Sequence, residues 1–264
     1  MQYESISVKI EDTVATIILN QPGKLNPLDQ RTADEMNRAI DLLRVEEGLR
    51  LLVITGSGKA FSAGGDVKGM KASIENGTPD QFMDDLTISL YAIARKLRTF
   101  PIPVIAGVNG YAMGAGMNLA LCCDLVMASD RAVFGQSFSK LGLIPGFAGT
   151  HLLATQLPWQ KACEIAFMGE PVSADEMYLL GLVNRVVPHD KFEEELAIFA
   201  AKIVSGPTMA FRRTKELFLR ALQGDFFDHV EYERTVQVES TKTADYAEGV
   251  QALIEKRDAR FKGN

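Results

Sequence analysis

Apolar and polar residues alternate from Ile6 to Ile10, and a second apolar run, Val14-Ala-Thr-Ile-Ile-Leu19, follows a short acidic turn. Two such runs across a turn predict a β-hairpin. Between Asp29 and Leu43 the apolar positions Met36, Ala39, Ile40 and Leu43 recur at helical spacing, and Asp29 is placed to cap that helix. Leu51–Thr55, Pro103–Val108 and Leu125–Ala128 are short, nearly continuous apolar runs set between helical segments. Strands alternating with helices predict an α/β fold built on a parallel sheet. Lys68 to Asp85 is polar and contains Asn76-Gly-Thr-Pro79, so it is expected to be a mobile loop over a pocket. From Trp159 the pattern turns mainly helical, and Ser205-Gly-Pro207 marks a joint. The expected organisation is a core of repeated β-β-α units over residues 1–195 and a helical region over 196–264.

Two turns rich in small residues change this from a fold to a site. Ala60-Phe-Ser-Ala-Gly-Gly-Asp66 follows the strand at 51–55, and Gly110-Tyr-Ala-Met-Gly-Ala-Gly116 follows the strand at 103–108 and opens a helix. A helix start presents unpaired backbone N–H groups, which suit an anion or a developing oxyanion. Two such turns can aim two N–H groups at one carbonyl oxygen, the minimum needed to stabilise an enolate.

Composition narrows the partners. The 264 residues carry a formal net charge of −6, which argues against a general affinity for nucleic acid or an anionic membrane. No apolar run reaches the length of a membrane span, and Met1-Gln-Tyr-Glu-Ser lacks the pattern of a secretory leader, so a cytoplasmic location is expected. The three cysteines, Cys122, Cys123 and Cys163, are an odd number with a vicinal pair, and they read as buried reduced thiols rather than a disulfide framework. The sequence has no zinc-ligand spacing, no phosphate loop and no dinucleotide fingerprint.

The two turns, in this order and separation, resemble the crotonase superfamily, the enoyl-CoA hydratase/isomerase family of acyl-CoA enzymes. Lys24-Leu-Asn-Pro-Leu28, Phe134-Gly-Gln136, Leu141-Gly-Leu-Ile-Pro-Gly146, Gly181-Leu-Val-Asn-Arg-Val186 and Ala252-Leu-Ile-Glu-Lys-Arg257 with Phe261 sit in family order, so the resemblance runs almost end to end. It implies the spiral crotonase fold with a C-terminal helical trimerisation region, and a homotrimer or hexamer. It implies an acyl-CoA substrate, coenzyme A entering as part of the thioester, and no permanently bound cofactor. The backbone N–H groups of Gly65 and Ala115 take the role of oxyanion-hole donors. CoA-binding positions fall at Lys24, Leu25, Ala63, Asp66, Lys68 and Lys256, the last reaching toward a neighbouring subunit's CoA. Asp66 and Asp124 match family positions and read as carboxylates that cap backbone N–H groups.

The departures from the family pattern bear on the reaction. Asn118 stands where family hydratases carry one glutamate, Phe138 where they carry the other, and Gly146 where ring-isomerising members carry an aspartate. Hydration needs one group to deprotonate water and another to deliver a proton to Cα, and amide and phenyl groups cannot do either. Asn118, Phe138 and His151 are therefore candidates for a catalytic or acyl-pocket role, His151 as a proton donor near the pocket. Asp84, Asp85 and Glu75 are candidates for a displaced base. Tyr91 could also donate a proton, but it shares an amphipathic segment with Leu86, Leu90 and Ala94 and is expected to pack in the core. The first reading is an enoyl-CoA double-bond isomerase or atypical hydratase working through a thioester enolate. Two alternatives stay open: a decarboxylase of a carboxylated acyl-CoA or acyl-carrier-protein thioester, for which no base near Cα is needed, and a non-catalytic CoA-binding subunit.

Overall fold

The computed structural model describes residues 3–264; Met1 and Gln2, the first two residues of the stretch read for a leader, lie outside it. The hairpin is formed by β1 (Ile6–Glu11) and β2 (Val14–Leu19), antiparallel with Ile6 opposite Leu19. Helix α1 (Gln30–Arg44) starts where the Asp29 carboxylate accepts the Thr32 N–H at 2.8 Å, and it buries Met36, Ala39, Ile40 and Leu43.

Three strand pairs then repeat one motif. They are β3 (Leu51–Gly56) with β4 (Ala60–Ser62), β5 (Val104–Val108) with β6 (Tyr111–Met113), and β7 (Leu125–Ser129) with β8 (Val133–Gly135). The first strand of each pair joins a six-stranded sheet, ordered β1-β2-β3-β5-β7-β10, where β10 is Arg185–Val187. The second joins a four-stranded sheet, ordered β4-β6-β8-β9, where β9 is Val172–Ser173. Among the described residues only the β1–β2 and β8–β9 pairs are antiparallel. The chain thus climbs between two sheets as a spiral of β-β-α turns. Burial on both faces of the larger sheet explains the continuous apolar runs. On β3, Leu52 and Ile54 face the main core, while Leu51 and Val53 face a second core on the other side.

The segment expected to be a loop is helical. Helix α2 (Val67–Glu75) and helix α3 (Pro79–Arg98) meet at a turn around Gly77, and Thr78-Pro79 starts α3 with proline at its first position. The polar character of residues 68–85 reflects two solvent-facing helix surfaces: α3 buries Leu86, Leu90, Ile93, Ala94 and Leu97 and little of its first turn. Helix α4 (Ala115–Cys122) follows β6, and α5 (Gly149–Gln156), α6 (Trp159–Met168) and α7 (Ala174–Leu179) follow β8. Helix α8 (Phe192–Val204) packs Phe192, Phe199 and Ala200 on the second core, and the boundary expected at 195 falls within it.

Helices α9 (Thr208–Ala221), α10 (Phe226–Ser240) and α11 (Ala244–Glu255) complete the chain. The joint read at 205–207 lies between α8 and α9. Arg50, just before β3, clamps this region: its guanidinium donates to Thr208 Oγ1 at 2.9 Å, Gly206 O at 2.6 Å and Phe261 O at 3.1 Å. A second tie lies beside a cavity of about 360 Å³ lined by Arg98, Pro103, Asp124, Phe211, Lys215 and Phe218, among others. There Lys215 Nζ donates to Asp124 Oδ2 at 2.8 Å and to Leu97 O at 2.9 Å. Asp124 Oδ2 also accepts the Val104 N–H at 2.8 Å, the capping role read from the sequence. Burial raises the Asp124 carboxyl above its ordinary range and lowers the Lys215 amine, so desolvation outweighs their attraction in both. The cysteines are all free; burial pushes the Cys122 thiol up to about 12, while Cys163 is only partly buried. Among the described residues no helix is long and apolar enough to cross a membrane.

Candidate active site

The two small-residue turns meet. A Cβ at Gly64 would stand 2.6 Å from Met113 O, and one at Gly116 would stand 2.4 Å from Ser62 O, so only glycine lets the backbones approach this closely. Gly64 also has φ +91°, in the region that favours glycine. The turn at Lys24–Leu28 lies against the first of them: Ala63 N–H donates to Leu25 O and Leu28 N–H to Gly64 O, each at 2.8 Å. The expected CoA turn and Ala63 are thereby brought together, with Lys24 and Leu25 both exposed.

Beside the joined turns is a cavity of about 260 Å³. Gly65 and Ala115 both line it, and among the described residues neither N–H finds an acceptor in the protein. Ala115 is the first residue of α4, so its free N–H follows from helix geometry. The remaining walls are mostly apolar: Met70, Met83, Leu86 and Leu90 on one side, Phe138, Leu141, Leu143 and Ile144 on another. Among the described residues the lining holds no carboxylate, imidazole, amine or thiol. Its polar side chains are Thr87, Tyr91 and Ser137. Thr87 Oγ1 donates to Asp84 O at 3.1 Å, whereas the Tyr91 and Ser137 hydroxyls have no protein partner among the described residues.

The other candidates separate. Phe138 lines the cavity, its ring bridging Gly114 and Gly146: a Cβ at either glycine would lie 3.5–3.8 Å from it. Asn118 is fully buried behind the wall. Its Nδ2 donates to Gly146 O at 2.7 Å, and its Oδ1 accepts from Gln136 Nε2 at 2.6 Å. The amide therefore holds the segment Gly146–Ala148, in which Phe147 (φ 54°) and Ala148 (φ 59°) both adopt the left-handed conformation. His151 is exposed on α5 and does not line the cavity, because α5 turns Leu152 and Leu153 inward instead. Asp66 caps α2, its carboxylate accepting the Lys68 N–H at 3.1 Å, and the Lys68 side chain is exposed. Lys256 ends α11 in the left-handed conformation, exposed and away from the cavity lining. Asp84, Asp85 and Glu75 are exposed and do not line the cavity.

Sequence reasoning assigned Tyr91, a possible donor, to the core, and it missed Ser137. Tyr91 sits one position off the Leu86–Leu90–Ala94 stripe, half-buried, and lines the cavity together with Leu86 and Leu90. Ser137, next to the Phe-Gly-Gln motif, carried no signal of its own.

Comparison with known proteins agrees with this architecture. Residues 9–264 match the family model for enoyl-CoA hydratase/isomerase. A probable enoyl-CoA hydratase of Mycobacterium bovis is 37% identical over 261 residues, covering 99% of each chain. A crotonyl-CoA hydratase of Syntrophomonas wolfei is 33% identical over 262 residues, again covering 99% of each. Among solved structures, an enoyl-CoA hydratase from Bacillus anthracis superposes with a TM-score of 0.91 at 32% identity, covering 99% of this chain and 100% of that one. With the spiral of β-β-α turns, the paired glycine turns and a match over nearly the whole length, the chain belongs to the enoyl-CoA hydratase/isomerase family and has the crotonase fold.

Proposed function

We propose that the enzyme generates its thioester enolate by decarboxylating a carboxylated acyl thioester, acyl-CoA or acyl-carrier protein. One observation carries this reading: the cavity beside the Gly65 and Ala115 N–H groups has no carboxylate or histidine in its lining. The two N–H groups serve as the oxyanion hole, accepting the charge that develops on the thioester oxygen. Loss of CO₂ leaves the enolate electron pair behind without a base, and a wall free of anions does not repel a substrate carboxylate. At about 260 Å³ the cavity is at the small end of ligand pockets, which suits a short acyl group with the CoA moiety outside it. Lys24, Leu25, Ala63, Asp66 and Lys68 form the CoA-facing rim in this reading.

The double-bond isomerase or atypical hydratase favoured by the sequence is the second reading. The hydratase names of the relatives favour it. It needs a base from outside the cavity lining. Assembly as a trimer or hexamer, with Lys256 reaching a neighbour's CoA, and a cytoplasmic location belong to either reading. Large apolar side chains exposed on α9–α11, among them Phe218, Phe226, Phe227 and Leu253, support assembly through that region.

A panel of methylmalonyl-, ethylmalonyl-, crotonyl- and 3-butenoyl-CoA separates the readings. Decarboxylation is expected at a kcat/KM of about 10⁴ M⁻¹s⁻¹ or more, with crotonyl-CoA hydration far slower. The reverse ranking selects the second reading, and no turnover of any thioester selects a non-catalytic subunit.

A further inference from the structure

We propose that Tyr91 is a catalytic residue whose hydroxyl delivers the proton that quenches the enolate. The inference rests on the enolate reading of the site but not on how the enolate arises.

Two hydroxyls face the cavity without a protein partner among the described residues, and their positions differ. Ser137 Oγ lies 3.3 Å from the point a Cβ on Gly114 would occupy, next to the Ala115 N–H and hence at the thioester end. Tyr91 OH lies 3.6 Å from the corresponding point on Gly146, which is also 3.5 Å from the Phe138 ring. Phe138 and Gly146 are two of the three positions vacant of the acids that the resemblance places around the acyl chain. The hydroxyl of Tyr91 thus shares the cavity with the Gly65 and Ala115 N–H groups and lies beside Gly146, one of the positions left without a carboxylate. Tyr91 is also well positioned for the task. It projects from the middle of the 20-residue helix α3, whose neighbouring residues Leu86, Leu90 and Ala94 are buried, so its backbone is fixed.

The step balances. In a decarboxylation the C–CO₂ bond breaks and its electron pair becomes the enolate, with the charge on the thioester oxygen held by the two N–H groups. The pair at Cα then takes the phenolic proton. A C–H bond forms, the Tyr91 O–H bond breaks, and the charge passes to the phenolate. The phenolate regains a proton from solvent, so one solvent proton is taken up for each CO₂ released. In an isomerisation the same hydroxyl would protonate the dienolate at Cγ or Cα.

The test is Tyr91→Phe, which removes one oxygen and keeps the ring, with methylmalonyl-CoA in D₂O as the probe. The expected result is a loss of about 10²-fold in kcat with KM within twofold. Deuterium at Cα of the propionyl-CoA, set in one configuration by the wild type, should become mixed in the variant as solvent replaces a positioned donor. A merely structural tyrosine would not move that stereochemical readout. Unchanged kcat and configuration in Tyr91→Phe, alongside a large loss in a folded Gly65→Pro variant, overturns the Tyr91 proposal and leaves the enolate reading standing. No loss in either variant overturns the enolate reading itself. If methylmalonyl-CoA is not turned over, exchange of the Cα hydrogens of butyryl-CoA in D₂O measures the microscopic reverse. Exchange in the wild type that is at least tenfold slower in Tyr91→Phe supports the role; equal rates, or none in the wild type, reject it.

Discussion

Two mostly apolar cavities of about 260 and 360 Å³ differ less in size than in the state of their polar groups. Beneath α9 two of the charges answer one another: Lys215 donates to Asp124 and to Leu97 O, and Asp124 also accepts the Val104 N–H. Beside the glycine turns, two backbone N–H groups and two hydroxyls have no protein partner among the described residues. The first arrangement fixes α9 to the strand ends, and of the charged side chains lining that cavity only Arg98 makes no hydrogen bond or ion pair with the described residues. The second holds its capacity in reserve, on elements that packing keeps rigid. Free, preorganised donors rather than volume or buried charge mark the reaction site. Each cavity can be altered to test that contrast.

The largest effect is expected from Gly65→Pro, which deletes one donor outright. A Cβ at this position meets only the flexible tip of Met70, at 2.9 Å, and Gly64 before it tolerates unusual backbone angles, so the fold should survive. The expected loss is on the order of 10²–10³ in kcat. Binding of CoA itself should fall much less, because the hole is most complementary to the enolate. Circular dichroism checks folding and steady-state kinetics the rest. A folded variant with near-normal kcat would mean that the carbonyl is polarised elsewhere.

Lys215→Met should show the opposite profile, with stability lost and kcat per folded molecule kept. Removing one partner of a buried pair leaves the other charge uncompensated, at a cost of about 3 kcal/mol in urea unfolding near neutral pH. The sign of the pH dependence follows from Asp124. Its folded carboxyl already titrates above the ordinary value, and losing Lys215 raises it further. The folded variant then binds protons that the unfolded chain does not, so the deficit shrinks as pH falls through the raised value toward the ordinary carboxyl range. A deficit that grows on acidification, or a kcat loss like that of Gly65→Pro, would erase the distinction between the two cavities.

Asn118→Ala probes the wall between these extremes. The change leaves the buried Gln136 amide without its partner and frees Gly146 O of one donor, although Gly149 N–H still reaches that oxygen at 3.0 Å. About 2 kcal/mol of destabilisation is expected. If the two amides act as a unit, Asn118→Ala and Gln136→Ala should be non-additive in a double-mutant cycle. Additive losses would mean that Asn118 fills space and does not hold the loop.

How much of this was legible in the sequence depended on how local the cause was. The Asp29 cap, the apolar runs of β3 and β5 and the small residues at 63–65 and 114–116 act over a few positions, and they were readable. Residues 68–85 were not, because two helices whose polar faces meet solvent resemble a loop in composition. Tyr91 borders the buried stripe of α3, and only the packing of α3 against the Phe138–Phe147 wall makes that border a cavity. Asn118 was read as a vacant acid position facing substrate; its neighbour Gln136, 18 residues on, turns it into an internal brace. His151 is close to Gly146 in sequence, yet the start of α5 between them turns it to solvent.

The smallest effect concerns strain in that same wall. Ala148 caps α5 with φ 59° and ψ 10°, directly after Phe147 at φ 54°. A left-handed alanine costs about 1–2 kcal/mol, which glycine avoids, while glycine gives the unfolded chain more freedom to lose. The first term is the larger, so Ala148→Gly should raise stability by about 0.5–1 kcal/mol in urea unfolding. The fully buried Phe147 ring and the Asn118 bond to Gly146 O both hold the segment from outside Ala148, so its geometry should persist in the variant. If the strain serves only to accommodate this wall, kcat stays within twofold. If kcat falls while stability rises, alanine's stiffness is part of how the cavity keeps its free hydroxyls and N–H groups in register, and the rigidity of the reaction site extends to a residue that touches no substrate.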